Sequence, residues 1–297
     1  MRTTITHLVQ RNLKLFFRDR GAVFFSLLSV LIIITLYVLF LGGVQLRYIE
    51  AEAGRAVEEA GWLVNSWILA GILAVSTVTV SLGAYGTMVN DVHGGQVRDF
   101  LASPVSRSRL VAGYMISSAL ISFLICLAAF AVAEACIALS GGKALDPSQA
   151  LEALGVLALS IFSFSSIVCF ITSFVKTPRA LGTLSTVAGT AIGFVTGIYL
   201  PPGQLPEAVT TVMKFIPFSH SAAWLRQVFT REPVNRVFAG APPGMAETYR
   251  EFYGITMRFG DVYVEPWMMG LIIAASGILF FTLSVWRLSR KTWVPAA

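Results

Sequence analysis

The sequence predicts an all-α integral membrane protein with six transmembrane helices, an N-terminal interfacial amphipathic helix and a re-entrant outer region between the fifth and sixth spans. Three observations carry this. Six apolar stretches, residues 22–41, 63–89, 110–139, 153–175, 180–200 and 267–286, each reach the length of about 20 residues that a helix rising about 1.5 Å per residue needs to cross about 30 Å of hydrocarbon. Five of them contain no Asp, Glu, Lys or Arg, and the third holds only Glu134. The chain is 56% hydrophobic and 13% charged, with a mean hydropathy of +0.73, which excludes disordered and ordinary soluble classes. In hydrocarbon every backbone amide must be bonded internally, so only helices or a closed barrel can span. Barrel strands alternate over about ten residues, whereas these runs are unbroken, so helices follow. The whole chain, 1–297, reads as one transmembrane domain.

The elements follow in order. In segment 1–21, Ile5, Leu8, Val9, Leu13, Phe16 and Phe17 recur at helical spacing, while Gln10, Arg11, Lys14 and Arg18 fall mainly on the other side. This is the pattern of a helix lying in the headgroup plane. The basic N-terminus and the apolar run after it read as an uncleaved first span, because the run is too long for a signal-peptide core. Residues 45–61 form an acidic loop, with Trp62 and Trp67 at aromatic-belt height. In the connection 90–109, Gly94-Gly95 breaks the second span, residues 96–102 make about two helical turns, and Ser103-Pro104 ends them. The short helix presents Arg98, Asp99, Phe100 and Leu101, and its apolar pair suits a docking surface. Short turns at 140–150 and 176–180 make the third, fourth and fifth spans antiparallel neighbours. Residues 201–265 hold a segment too polar and broken to cross, interrupted by Pro217, then a Pro/Gly-rich excursion and an aromatic-rich run. Pro266 takes the first position of the last span.

Charge placement orients the chain. With the N-terminus inside, segments 1–21, 90–109, 176–180 and 287–297 carry 13 of the 22 Lys and Arg residues, so the positive-inside rule puts both termini in the cytoplasm. The net charge of +6 therefore reads as a membrane-surface signal, with no nucleic-acid role. Cys126, Cys136 and Cys169 fall inside spans without metal spacing and read as small packing residues. No phosphate loop, G-x-S-x-G or H-E-x-x-H is present, and His7, His93 and His220 are scattered. The sequence thus shows no enzyme active site and no bound cofactor or metal. A membrane-embedded enzyme would need a cluster of His, Asp or Glu near one face, and the spans supply only Glu134.

Glu134 falls in the outer third of the third span, where a transport role and a satisfied carboxyl both remain open. The fifth span carries Gly189, Gly193 and Gly197 in a G-x-x-x-G-x-x-x-G series, with Thr186, Thr190 and Thr196 beside it. Small residues let helices approach closely in lipid. The second span is rich in Ser76, Thr77, Thr79, Ser81, Tyr85 and Thr87. Two hydroxyl-rich helices suit either a pathway for an amphipathic substrate or ordinary interhelical hydrogen bonding.

The pattern resembles the type-2 ABC export permease family, the six-span membrane subunits of ATP-driven exporters. The likeness covers nearly the whole chain: the amphipathic N-terminal helix, VRDFLASPVSRSRLVAGYMIS before the third span, and LPEAVTTVMKFIPFSHSAAWLRQVF after the fifth. Gly95, Asp99, Leu101, Ser103, Pro104, Ser106 and Arg107 follow the family's order, with Asp99 where Glu is commoner and Asp91 the nearest match to the acidic residue ahead of the Gly. Pro217, Phe218, Ser219, His220, Leu225 and Arg226 echo its second motif.

The resemblance implies that Gln96, Val97, Arg98, Asp99, Phe100 and Leu101, with Arg11 and Lys14, dock a separate ABC ATPase subunit that binds ATP and Mg. It implies pairing with a second permease copy or paralogue and contact with membrane lipids, in a bacterial or archaeal cell membrane. It implies a path between the second and fifth helices, marked by Thr79, Thr87, Thr186, Gly189, Gly193 and Gly197. It also implies an outer gate within 203–229, marked by Pro217, Phe218 and His220. The expected cargo is a drug-like, antibiotic, peptide, lipid or ion substrate moved outward. The alternatives are a polysaccharide export permease, disfavoured by the sizeable 201–265 loop, and a non-transporting scaffold or assembly factor.

Overall fold

A computed structural model describes residues 2–21, 23, 24, 43, 47, 59–102 and 105–290. The first expected span, 22–41, apart from Val23 and Phe24, most of the acidic loop and the Ser103-Pro104 stop lie outside the described residues. Within them the chain is helical, with one two-residue hairpin. In order come α1 (Arg2–Arg18), α2 (Ala60–Ala84), α3 (Gly86–His93), α4 (Gln96–Ala102), α5 (Arg107–Leu139), α6 (Pro147–Thr172), α7 (Pro178–Val195), α8 (Glu207–Lys214), α9 (Pro217–Val237), α10 (Met245–Phe252), β1 (Arg258–Phe259), β2 (Val262–Tyr263) and α11 (Pro266–Arg290). A 3-10 turn, Pro202–Gln204, lies between α7 and α8.

Four helices among the described residues are long and apolar enough to cross a membrane: Ala60–His93, Arg107–Leu139, Pro147–Thr172 and Pro266–Arg290. They match the second, third, fourth and sixth expected spans; the fourth starts six residues earlier and ends three residues sooner than expected, and the others extend by up to about a turn. The first of them joins α2 and α3 with only a turn at Tyr85, where Tyr85 N still bonds Ser81 O and Val89 N bonds Tyr85 O, both at 3.1 Å.

The fifth expected span differs. Its helix stops at Val195 rather than running to 200, leaving 18 residues, about 27 Å at 1.5 Å per residue. The cause is Gly197, which takes φ +69°. Gly197 N bonds Phe194 O and Ile198 N bonds Gly193 O, the paired closure that ends a helix on a left-handed glycine. The chain then folds back, so Tyr199 lies against Gly193.

Helix starts are written locally. Thr177 Oγ1 accepts from Ala180 N at 3.2 Å ahead of Pro178. Gln149 Oε1 accepts from Asp146 N at 3.3 Å ahead of Pro147. Pro217 and Pro266 occupy first turns, where the missing N–H is harmless.

α2 is the hub. Nearly all its side chains are buried, with α9, α5 and α6 packed around it, while α6 also runs along α11. Hydroxyl pairs tie these helices: Ser81 to Ser122 at 3.0 Å, Ser160 to Ser221 at 2.7 Å and Ser163 to Ser276 at 2.8 Å. Among apolar helices such bonds and close packing supply the adhesion. Cys126 and Cys169 are buried free thiols, and Cys136 is half-buried.

The segment after α7 is more ordered than a pair of short helices. α8 has eight residues, but α9 runs for 21 and carries Pro233. The aromatic-rich run forms α10 and an antiparallel hairpin that pairs Arg258 with Tyr263 and Phe259 with Val262. Trp67 Nε1 donates to Tyr253 O at 2.7 Å, fastening this layer to the start of α2.

Candidate functional site

One end of the α2–α3 rod is gripped by α1. Asp91, buried on α3, takes both arms of the Arg11 guanidinium, Nη1 to Oδ2 at 2.7 Å and Nη2 to Oδ1 at 2.8 Å. Such a bidentate pair fixes both distance and orientation. Tyr114 on α5 donates its hydroxyl to the same Oδ2 at 2.6 Å. Next to it, Asn12 Nδ2 donates to Ser117 Oγ at 3.0 Å. Three elements therefore meet at one carboxylate, and α4 joins them through Arg11, whose Cζ lies 5.1 Å from the centroid of the Phe100 ring, within cation–π range. The bond to Asp91 raises the guanidinium pKa above its already high ordinary value.

α4 forms after Gly95, which supplies φ +82° at no steric cost. Val97 is buried against the bundle, whereas Gln96, Arg98 and Asp99 are exposed and Phe100 is half-covered. The side chain of Leu101 lies outside the described residues. On α1, Leu8, Val9, Asn12 and Phe16 face inward, and His7, Gln10, Arg11, Lys14 and Arg18 line a shallow basic groove with Leu15. The expected apolar face is shifted: Phe17 is exposed, and Asn12 takes an inward place that polarity alone argued against. Of the expected docking residues, Gln96, Arg98, Asp99 and Lys14 point outward, Val97 is core, and Arg11 is committed to Asp91.

The second expected feature runs between α2 and α7. α7 buries only Leu181, Ile192 and Gly193. Its Thr183, Thr186, Thr190 and Phe194 are exposed, and the hydroxyls of Thr186 and Thr190 bond carbonyls of their own helix. Gly189 meets α2 at Thr79, where an added Cβ would lie 3.8 Å from Thr79 Cγ2. Thr79 and Thr87 are half-buried, and Thr79 Oγ1 bonds Val75 O at 3.3 Å. At Gly193 the nearest neighbour an added Cβ would meet is the Tyr199 ring of the fold-back. Gly197 lies in the turn, so the three glycines do not form one helical stripe.

Pro217 opens α9, Phe218 meets Phe164 at 4.5 Å between centroids beside the middle of the rod, and Ser219 Oγ donates to Val195 O at 2.9 Å, closing the end of α7. His220 is buried with Nε2 2.8 Å from Lys214 O. Burial pushes its pKa down, and that bond opposes the shift. Glu134 accepts from Leu145 N at 2.8 Å, holding the turn after α5.

The family model for ABC-2 type transporters matches residues 3–230. The chain belongs to this family. ABC-2 membrane subunits transport and work with an ATPase subunit, so this chain is a multi-pass permease subunit of an ABC transporter. A comparison with curated proteins found no match.

The ABC-2 match ends within α9, so α10, the hairpin and α11 lie beyond it. Sequence reasoning placed Asp91 only through a family motif and missed its partners; the signal was an acidic residue one turn from a helix end, opposite a basic amphipathic helix. It also missed Arg226 as a core residue. Arg226 is 1% exposed, with Cζ 4.3 Å above the Trp67 ring; the apolar flanks Ala222, Ala223, Leu225, Val228 and Phe229 were the available signal.

Proposed function

We propose that this chain is the membrane subunit of an ATP-driven exporter, moving a drug-like, antibiotic, peptide, lipid or ion substrate outward with both termini in the cytoplasm. The observation that carries the reading is the Arg11–Asp91–Tyr114 junction. It binds the interfacial helix and the second span into one unit and sets Phe100 of the exposed α4 against Arg11. A partner pushing on α1 and α4 therefore pushes on α2 through packed contacts, the kind of route coupling requires.

In this reading an ABC ATPase subunit, carrying ATP and Mg, docks on Gln96, Arg98, Asp99 and Lys14. The membrane is a bacterial or archaeal cell membrane. A second permease copy or paralogue faces the exposed Thr186 and Thr190 side of α7 and the strip from Thr79 on α2 to Thr87 on α3, which together line the path. Pro217, Phe218 and His220 stand at its outer end.

The test is co-purification and ATP-dependent uptake in inside-out vesicles containing both subunits. Arg98→Glu, on an exposed side chain, is expected to release the ATPase and abolish uptake while the permease stays folded. Undiminished co-purification and uptake would overturn the docking assignment.

A further inference from the structure

Behind α9, at the end of the bundle away from α1, lies a cavity of about 230 Å³, several times the roughly 30 Å³ a water occupies in the liquid. Trp67, beside it, stands about 36 Å from Asp91 along the α2–α3 rod at 1.5 Å per residue. The wall is basic. Lys214 comes from the last turn of α8, Arg226 from the buried face of α9, and Arg258 from the hairpin; Glu251 is the one acidic residue among the lining side chains.

Glu251 is already engaged. Its Oε1 accepts from Arg258 Nη1 and from the Tyr263 hydroxyl, each at 3.1 Å. Arg258 also lies 4.6 Å from the Tyr263 ring centroid and 4.0 Å from the exposed Asp261. Its Nε is nevertheless buried with no hydrogen-bond partner, and so is Thr256 Oγ1, another lining group. Lys214 makes no ion pair among the described residues.

A buried donor without an acceptor is costly, and a buried positive charge more so. The wall's one carboxylate is already engaged, so what Arg258 Nε and Thr256 Oγ1 lack is an acceptor-rich negative partner. Tetrahedral or planar oxyanions supply several acceptor oxygens at once and form the shorter, stronger bonds that charged partners make.

We propose that this cavity binds a small oxyanion, either free in solution or carried on a lipid headgroup, held by Lys214, the Arg258 Nε–H and the Thr256 hydroxyl beside the buried charge of Arg226. The inference is independent of the direction of transport and of the cargo.

The test uses the full chain in nanodiscs. One arm titrates inorganic phosphate into phosphatidylcholine discs by calorimetry. The other replaces part of the phosphatidylcholine with phosphatidylglycerol and counts retained lipid by native mass spectrometry. Lys214→Gln and Thr256→Val both sit at the cavity edge and leave the core packing intact; Arg236→Gln, on an exposed pair with Glu232, is the control.

Saturable phosphate binding identifies a free ion, and selective retention of phosphatidylglycerol identifies a headgroup. Either supports the proposal if Lys214→Gln weakens it about tenfold or more, Thr256→Val weakens it severalfold and Arg236→Gln leaves it unchanged. No saturable binding of either probe, or binding unaltered in both cavity variants, would overturn it.

Discussion

Arg11 and Asp91, 80 residues apart in sequence, hold each other through two hydrogen bonds of 2.7 and 2.8 Å, and Tyr114 completes the carboxylate's shell. The Asp91 side chain is 7% exposed and that of Arg11 32%. Removing one partner of a fully buried pair costs about 3–5 kcal/mol, and partial exposure reduces this. Arg11→Ala is therefore expected to destabilise the permease by about 1–3 kcal/mol. Asp91→Asn, which can still accept from Tyr114, is expected to cost less. Thermal melts in detergent read both. Equal and negligible losses would show that the junction contributes nothing to stability.

Gly193 offers a second test. A side chain there would collide with the Tyr199 ring, and overpacking costs about 1–3 kcal/mol. Gly193→Leu is expected to lower the melting temperature and disturb assembly, and Tyr199→Ala in the same chain to recover part of the loss. If the double variant melts no higher than Gly193→Leu alone, Tyr199 is not the obstacle.

Glu134 serves the turn after α5. Glu134→Gln keeps an oxygen for Leu145 N and is expected to leave transport near the parent rate. Glu134→Ala strands that N–H and is expected to cost about 1–2 kcal/mol. Abolished transport in the glutamine variant, with folding unchanged, would instead assign the charge a direct part in moving cargo.

His220 makes the junction of α8 and α9 pH-sensitive. A carbonyl only accepts, so Nε2 carries the hydrogen toward Lys214 O, and Nδ1 is buried without a partner. Burial holds the folded pKa below the ordinary value of about 6.5. The unfolded chain then binds more protons in mildly acidic solution, so this contribution is complete above about pH 6.5 and is lost as pH falls through the folded value. Melting curves between about pH 7.5 and 5 should fall for the parent and fall less for His220→Gln. Identical slopes would contradict the assignment.

The hydrophobic runs made the second, third, fourth and sixth spans legible, because length and unbroken apolarity alone fix a helix in lipid. Local chemistry made several ends legible: Gly94-Gly95 before α4, the short turn 176–180 at the start of α7 and Pro266 at the first position of α11. The fifth span ran long in the sequence because 196–200 stays apolar; only the left-handed turn at Gly197 stops it, and hydropathy does not register backbone handedness. The second half of α9 was hidden by Arg231, Glu232 and Pro233, and the hairpin by its two-residue strands. In the candidate site, the exposed Arg98 and Asp99 were readable as a short helix after a glycine break. The commitment of Arg11 to Asp91 was not, because partners 80 residues apart leave no trace in spacing.

The continuous helix Ala60–His93 carries a guanidinium clasp near each extremity, Arg226 over Trp67 and Arg11 on Asp91, with a single joint at Tyr85 between them. A tilt imposed at one clasp is shared between gentle curvature of the helix, movement of the opposite clasp and a swing at Tyr85, the break between its two segments. Stiffening or loosening that one joint should therefore alter how the two ends of the molecule keep step, even though Tyr85 touches neither of them.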